Sequence, residues 1–240
     1  MRGRFRQLLV ALVLAAVGVT MLAALLAMNQ QPLRSDGLAA YFLENASADT
    51  AVVNVVSAVL LDYRAFDTFG EATVIFASVV VVSMLSSGLV LRSSGFGMSI
   101  LVGRAIGFLT PFFWLFPVYV VLNGHLSPGG GFQGGVSLSV LVIVLSVAFG
   151  SEYTIRRVSL RRLGFVESGA ALSFIVIGLI GVSRGTAFFA NAAAGVPIGA
   201  PGEMISSGII AILNVVVGFK VAAGLAAIFF YMSTQANPQS

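Results

Sequence analysis

The chain has 240 residues, of which 58% are hydrophobic and 9% are charged, and its mean hydropathy is +1.01. A soluble domain carries about 25% charged residues, so this composition excludes a soluble protein and indicates an integral membrane protein. The net charge of +4 does not indicate a nucleic-acid partner, because the arginines lie at the ends of apolar runs, where membrane topology places them.

The first apolar run, residues 8–28, follows arginines at positions 2, 4 and 6 and has the length of a membrane span. The apolar core of a signal peptide has only about 7–15 residues, so a retained first span is favoured over the alternative of a cleaved signal peptide. Residues 29–50 are polar and predict an external loop, with a surface helix at residues 38–43.

The next apolar run, residues 51–61, is too short to cross a bilayer alone. If Arg6 and Arg92 both lie on the cytoplasmic side, an even number of spans must separate them. Residues 51–61 therefore predict an interfacial or partly inserted helix, and residues 73–91 predict the second span. Counting 51–61 as a full span gives the alternative of seven spans.

Four further apolar runs complete an all-α, polytopic membrane fold with about six transmembrane helices and both termini inside. No strand-like alternation is present, so the spans are helices and not barrel strands. Two prolines are expected to kink the first of the four runs, and the arginine-rich segment 151–164 separates the second from the third. The four runs are residues 105–122, 136–149, 165–182 and 205–232, with a loop at 183–203.

A glycine-rich segment at residues 124–135, GHLSPGGGFQGG, joins two of these runs and contains the chain's single histidine, His125. Glycine and proline at this density predict a tight turn and not a helix. We assign the backbone geometry of this turn to Pro128, Gly129, Gly130 and Gly131. His125 either braces the turn through hydrogen bonds or relays protons near neutral pH.

Lys220 lies near the middle of the last apolar run, where an ammonium group costs about 2.5–3.5 kcal/mol to place in lipid. It forms either a structural ion pair with a neighbouring helix or a charge on an ion or proton path. Asn214 is on nearly the opposite helix face, so it is not an obvious partner for Lys220. Arg184 and Glu203 flank the preceding loop and are candidates to pair with each other or with a partner subunit.

The segment 62–71, DYRAFDTFGE, places Asp62, Asp67 and Glu71 at the start of the second span. Asp67 and Glu71 are four residues apart and share a helix face, which suits an entry site for a cation or a proton. The alternative is a solvated helix start, stabilised by the backbone dipole. The absence of cysteine and the single histidine argue against a disulfide, a zinc site or a haem site in this chain.

Three stretches resemble a known family. The glycine-rich segment and residues 203–225, EMISSGIIAILNVVVGFKVAAGL, resemble the MrpB (MnhB) component of the multisubunit Mrp-type sodium/proton antiporters, with Lys220 at that component's membrane lysine. Residues 53–71 resemble a module near the end of the large MrpA component, whose stand-alone form, MbhE, occurs in membrane-bound hydrogenases and sulfane reductases. The resemblance implies two modules: residues 1–92, with the first span, the interfacial helix and the second span, and residues 93–240, with four helices.

The resemblance implies a membrane subunit that takes part in sodium/proton translocation within a larger respiratory, hydrogenase-like complex in the cell membrane. The alternatives are a component of a stand-alone Mrp antiporter, or a purely structural subunit between larger ones. The implied partners are large antiporter-like subunits, small membrane subunits and lipid, but no nucleic acid. No enzymatic role and no cofactor are expected beyond a transiently bound Na⁺, and the candidate ion or proton pathway is Asp62, Asp67, Glu71, His125 and Lys220.

Overall fold

The computed structural model describes residues 37–86 and 97–233, together with the single helical positions Ala15, Val19 and Leu22. The chain divides into two compact units, Met1–Tyr41 and Phe42–Ser240. The predicted first span at residues 8–28 therefore lies outside the described residues, apart from those three positions. Throughout the two described ranges, every regular element is a helix, as the sequence pattern predicts.

The first described helices form a bent pair. Helix α1 spans Leu38–Thr50, and helix α2 spans Val55–Ala58 and continues as a π-helical turn, Val59–Tyr63. The two segments meet at an angle of 82°. The bend falls at Asn54, whose side chain accepts a hydrogen bond from the backbone N–H of Val56 at 3.1 Å and so begins the second segment.

Two sequence-based expectations change here. Within the external loop expected at residues 29–50, the helix spans Leu38–Thr50 and is longer than the surface helix expected at 38–43; the external location of this segment stays a prediction. The helix expected at residues 51–61 begins at Val55, where Asn54 caps its first turn, and ends at Tyr63. The backbone before it is not helical, with a φ of 54° at Ala51. Its placement at the membrane interface stays a prediction.

Five helices are long and apolar enough to cross a membrane, and the bent pair is a sixth candidate, within the described ranges. The five are α3 (Ala65–Leu85), α4 (Ile100–Leu122), α5 (Gly131–Phe149), α7 (Leu160–Ser183) and α8 (Ile209–Met232). A short helix, α6 (Ser151–Arg157), precedes α7, and the loop between α7 and α8 contains a short 3₁₀ helix, Ala192–Ala194. The chain is therefore a multi-pass, all-helical membrane protein.

Helix α8 is the centre of the second unit and contacts α3, α4, α5 and α7. In its most apolar 18-residue window 61% of the residues are buried, compared with 17% for α3 and for α4. Glycine and alanine at positions such as Gly218, Ala223, Gly224 and Ala227 let neighbouring helices approach its backbone. The outward faces of α3 and α4 remain largely exposed in the single chain.

The glycine-rich segment is a turn only as far as Gly130, and the expectation of a turn through residue 135 is wrong. Residues from Gly131 onward form the first turns of α5. A Cβ atom on Gly135 would lie 2.6 Å from the carbonyl oxygen of Gly218, and one on Gly134 would collide with Val121. These glycines therefore serve close helix packing, which outweighs their low intrinsic helix propensity.

Candidate functional site

The turn before α5 is fastened to the start of α2 by Asn54. The Nδ2 atom of Asn54 lies 2.8 Å from the carbonyl oxygen of Gly124, 2.9 Å from that of Ser127 and 3.1 Å from that of Gly129. An amide group has two hydrogens, so these acceptors share them. One side chain thus holds the turn together from within.

Two further contacts reinforce this attachment. The hydroxyl of Ser57 donates to the carbonyl oxygen of Gly124 at 2.5 Å. The backbone N–H groups of Val53 and Asn54 both donate to the carbonyl oxygen of His125 at 3.1 Å. Two of the segments that carry the family resemblance, residues 53–71 and the glycine-rich segment, therefore meet at this point. Neither Asn54 nor Ser57 was identified from the sequence, because an isolated amide or hydroxyl carries no signal of its distant partner.

Asn214 holds the turn from the side of α8. Its side chain is buried, with 2% of the residue exposed, and its Oδ1 atom accepts a hydrogen bond from the backbone N–H of Gly131 at 2.8 Å. Its Nδ2 atom has no hydrogen-bond partner within the described part of the chain. Asn214 therefore serves the glycine-rich turn and does not pair with Lys220, in agreement with their predicted placement on different helix faces.

A small cleft of about 40 Å³ opens where these elements meet. This volume accommodates a small ion or a few water molecules, since one water needs at least about 10–15 Å³ by the same measure. Its polar lining comes from α2 and α3 on one side and from the turn, α5 and α8 on the other. The polar residues are Ser57, Thr68, Glu71, Gly130, Gln133 and Asn214.

The structure separates the three predicted acidic residues. Glu71 lines the cleft and is exposed at its edge. Asp67 is exposed and forms an ion pair with Arg64, whose Nε donates to its Oδ2 at 2.6 Å. Asp62 lies half-buried on the π-helical turn, close to Asp49 and outside the cleft lining. The expectation that Asp67 and Glu71 act together at one entrance therefore has no support from their contacts.

His125 is buried, with 2% of the residue exposed. Neither ring nitrogen has a well-formed hydrogen bond among the described residues, although the backbone of Met204 and Glu203 lies close by. Burial lowers the pKa of the ring, and those backbone groups oppose the shift in part, so the ring is neutral at neutral pH. The carbonyl of His125, and not its ring, makes the hydrogen bonds that brace the turn.

Lys220 forms a buried pair with Glu167 of α7. The Nζ atom of Lys220 lies 3.7 Å from Oε1 of Glu167, and the two side chains are 2% and 4% exposed. The same Nζ lies 5.6 Å from the ring centroid of Phe76 on α3, within range of a cation–π interaction. This contact agrees with the ion-pair alternative for Lys220; its role in an ion path stays a prediction.

Glu167 is a residue that sequence reasoning missed, although a lone carboxylate within the apolar run 165–182 is a detectable signal. A glycine of α8 makes room for it. A Cβ atom on Gly224 would lie 3.3 Å from Oε1 of Glu167 and 3.0 Å from Cγ2 of Ile75. The carboxylate thus packs against the backbone of α8, one helical turn beyond Lys220.

Arg184 and Glu203 do not pair with each other. The Nη1 atom of Arg184 donates to the carbonyl oxygens of Ala194 at 2.7 Å and Gly195 at 3.2 Å. The carboxylate of Glu203 accepts a hydrogen bond from the backbone N–H of Ala200 at 3.5 Å. Both side chains therefore stabilise the loop between α7 and α8, where sequence reasoning had offered pairing with each other or with a neighbouring protein.

No group of three or more His, Cys, Asp or Glu side chains suited to a metal ion occurs in the described ranges. The cleft instead offers one carboxylate together with hydroxyl and amide oxygens. Such oxygen donors suit hard cations and not transition metals. The oxygen atoms of the lining could therefore contact a small cation.

Two family models match the chain. A model described as a domain related to the MnhB subunit of Na⁺/H⁺ antiporters matches residues 101–227, which is more than half of the chain. The MbhE model, which describes one component of the complex abbreviated MBH, matches residues 2–94. Asn54, Ser57 and Glu71 lie in the MbhE match, and the glycine-rich turn and Asn214 lie in the MnhB match.

Two curated proteins are similar to this chain. Uncharacterized protein MJ1307 of Methanocaldococcus jannaschii is 33% identical over 207 residues, which cover 77% of this chain and 78% of that protein. A protein of Rhizobium meliloti, described as the A/B component of a probable K⁺/H⁺ antiporter, is 30% identical over 196 residues, or 69% of this chain. The match covers only 19% of that second, much longer protein.

Two solved structures have a similar fold. One is the membrane-bound sulfane sulfur reductase, an archaeal respiratory membrane complex, with a TM-score of 0.72, 29% identity and coverage of 93% of this chain and 98% of the matched chain. The other is the Mrp complex from a Dietzia species, with a TM-score of 0.63, 25% identity and coverage of 99% of this chain and 26% of the matched chain. Both are multisubunit complexes. The chain therefore belongs to the family of membrane subunits related to the MnhB subunit of Na⁺/H⁺ antiporters, and it is a membrane subunit of a cation/proton antiporter-like module.

Proposed function

We propose that this chain takes part in sodium/proton translocation within a larger respiratory complex of the hydrogenase-like type, and that the cleft at Glu71 receives the cation. The observation that carries the proposal is the position of Glu71. Glu71 lines a cleft of mixed polar and apolar character at the place where the MbhE-like and MnhB-like parts of the chain meet. A carboxylate beside neutral oxygens attracts a cation without holding it irreversibly.

In this proposal, the other titratable residues act through their effect on the electrostatic potential near the cleft. Lys220 and Glu167 place a compensated pair of charges within the helix bundle, and they influence the potential that a cation experiences nearby. The buried ring of His125, whose pKa is lowered by burial, adds no positive charge to the turn. Since the described part of this chain places few charges along its spans, a neighbouring subunit completes the path.

The exposed faces of α3 and α4 support such a neighbour, because only 17% of the best window of each helix is buried. Large antiporter-like subunits and small membrane subunits are the partners we propose, with lipid covering the remaining surface. In this arrangement the complex lies in the cell membrane with both termini of this chain in the cytoplasm. Any redox chemistry belongs to other chains, so this subunit has no enzymatic role of its own.

The test is Glu71→Gln in the intact complex, with Glu44→Gln as the matched control. Glu44 is an exposed carboxylate on α1, away from the cleft lining. Sodium-dependent proton movement is measured in membrane vesicles. We expect Glu71→Gln to lower it at least about tenfold, since the charge count of a site sets its cation affinity, while Glu44→Gln leaves it unchanged.

The amount of assembled complex is measured in the same vesicles. A loss of transport with normal assembly supports the proposal. A loss of assembly that fully accounts for the loss of transport would instead favour the purely structural role, and unchanged transport in Glu71→Gln would remove Glu71 from the path.

A further inference from the structure

Three side-chain oxygens converge beside Gly130, in the cleft. An ideal Cβ atom built on Gly130 would lie 3.2 Å from Oδ1 of Asn214, 3.3 Å from Oε1 of Gln133 and 3.7 Å from Oγ of Ser57. These oxygens come from α8, α5 and α2, three elements that are distant in the sequence. Glycine leaves the space between them open, and its φ of 153° is one that other residues rarely adopt.

The hydrogen bonds already present leave these oxygens able to accept more. The Ser57 hydroxyl donates its hydrogen to the carbonyl of Gly124 and accepts one hydrogen bond from Nδ2 of Asn54 at 3.1 Å. The backbone N–H of Gly131 donates to Oδ1 of Asn214 and so fixes this atom as the acceptor end of that amide. Each oxygen retains acceptor capacity after these bonds. Three partly used acceptors around an open space favour a cation and disfavour an anion.

Asn214 supplies a second, independent indication of a ligand. This residue is 2% exposed and lines the cleft, yet its Nδ2 atom has no hydrogen-bond partner among the described residues. A buried amide donor without a partner costs about 1–3 kcal/mol. A water molecule held in the cleft by a bound cation would accept this hydrogen bond and remove that cost.

The charge of the cleft lining selects the class of cation. Glu71 contributes one carboxylate, and the other oxygens are neutral hydroxyl and amide groups. One negative charge balances a monovalent ion, whereas divalent sites in proteins generally use several carboxylates. The volume of about 40 Å³ fits a small ion with one or two waters.

We propose that the cleft beside Gly130 is a binding site for a single sodium ion, held by Ser57, Gln133 and Asn214 and charge-balanced by Glu71. The choice of sodium rests on the proposed function, whereas the existence of the site rests on the convergence of the three oxygens. The site also explains why a glycine occupies position 130, since any Cβ there would fill the space that the ion needs.

The experiment is hydrogen exchange, followed by mass spectrometry, on the purified intact complex in NaCl, KCl or choline chloride at equal concentration. Bound sodium should slow exchange in the segments 53–61 and 124–135, because it joins the elements that carry its ligands. In Gln133→Ala, which removes an exposed side chain, we expect the sodium concentration needed for protection to rise at least about tenfold.

Gly130→Ala should abolish the protection, and Gly185→Ala is its matched control. Gly185 also has a positive φ, of 72°, but a Cβ there meets nothing within 4 Å. The control therefore adds a Cβ atom at another glycine of positive φ without filling the cleft. The site is supported if sodium protects Gly185→Ala as well as the wild type, protects Gln133→Ala only at higher concentration and does not protect Gly130→Ala.

Equal exchange in NaCl and choline chloride would overturn the site, and equal protection by KCl and NaCl would overturn its assignment to sodium. Wild-type sodium affinity in Gln133→Ala would also overturn it. The result is separable from the proposed function. If sodium protects the wild type as described while Glu71→Gln leaves transport unchanged, the site stands and the transport role fails. If sodium gives no protection while Glu71→Gln lowers transport, the site fails and the transport role stands.

Discussion

Lys220 stands out in the sequence as a charge within an apolar run, whereas its partner Glu167 was overlooked. A lysine in the middle of an apolar run requires compensation, and the structure places a carboxylate 3.7 Å away. Replacing both members of a buried pair with apolar residues is often neutral, whereas removing one strands the other. A single substitution in this pair should therefore lower the stability of the fold more than the double substitution does.

Lys220→Met alone should destabilise the fold by about 3–5 kcal/mol, because it leaves the Glu167 carboxylate buried without its cation. The double variant Lys220→Met with Glu167→Leu should recover most of that loss. Chemical unfolding of the detergent-solubilised complex measures both variants. If the double variant is as unstable as the single one, the two side chains are not coupled and the contact is incidental.

If the pair also sets the potential near the cleft, the double variant will be stable and yet altered in transport. That combination would separate a role in ion movement from a role in folding. Gly224→Ala offers a gentler probe, because its Cβ atom would make tight contacts with Ile75 and with the Glu167 carboxylate without removing any charge.

At the scale of elements, the packing of α5 against α8 depends on glycine. The sequence 131–135 predicts a turn by composition, but tertiary contact with α8 and α4 makes it the start of a helix. The energy gained by close helix packing exceeds the propensity cost of glycine, which is about 1 kcal/mol per residue. Local composition therefore misassigned a segment whose state depends on its neighbours.

Gly135→Ala tests this account. A Cβ at position 135 would lie 2.6 Å from the carbonyl oxygen of Gly218 and 2.8 Å from Cβ of Val221, so we expect a loss of about 1–3 kcal/mol from overpacking. Gly164→Ala on α7, where a Cβ meets nothing within 4 Å, is the control and should be neutral or slightly stabilising. Thermal unfolding of the complex compares them, and equal midpoints for the two variants would contradict this account of the glycines.

At the scale of the whole molecule, the segments that match two different family models are joined by non-covalent contacts. The glycine-rich turn is bound by Asn54 and Ser57, and α3 contacts α8. These contacts should hold the two parts together even when the chain between them is cut. Partner subunits that cover the exposed apolar faces would stabilise the assembly further.

A chain divided within residues 87–96 and expressed as two pieces should therefore reassemble in the membrane. Copurification of the untagged piece with the tagged one measures reassembly. Asn54→Ala, which removes the side-chain contacts to the carbonyls of Gly124, Ser127 and Gly129, should reduce the recovered amount several-fold, while Glu44→Gln should not. Failure of the unmodified pieces to copurify would show that the covalent connection is required.

The sequence by itself determined that the chain is a helical membrane protein, that five of its six predicted spans would fall at α3, α4, α5, α7 and α8, and that it resembles antiporter subunits. Apolar length and arginine placement are local properties, and lipid forces every backbone group in a span into a helix. The same local signals marked Glu71, His125 and Lys220 as unusual, because charged or titratable groups stand out against an apolar background. The sequence could not reveal Asn54, Ser57 or Asn214 as members of a site.

Only the tertiary structure decided which of these residues meet. The pairing of Asp67 with Arg64, three residues earlier, is a local contact. By contrast, Lys220 lies beside Glu167 of another helix, and Glu71 lines a cleft built from distant segments. The physical reason is that hydrogen bonds and ion pairs act over a few ångströms, so their partners depend on how helices pack. Packing here follows from glycines whose missing side chains admit a neighbouring backbone, and nothing in local composition states which neighbour that will be.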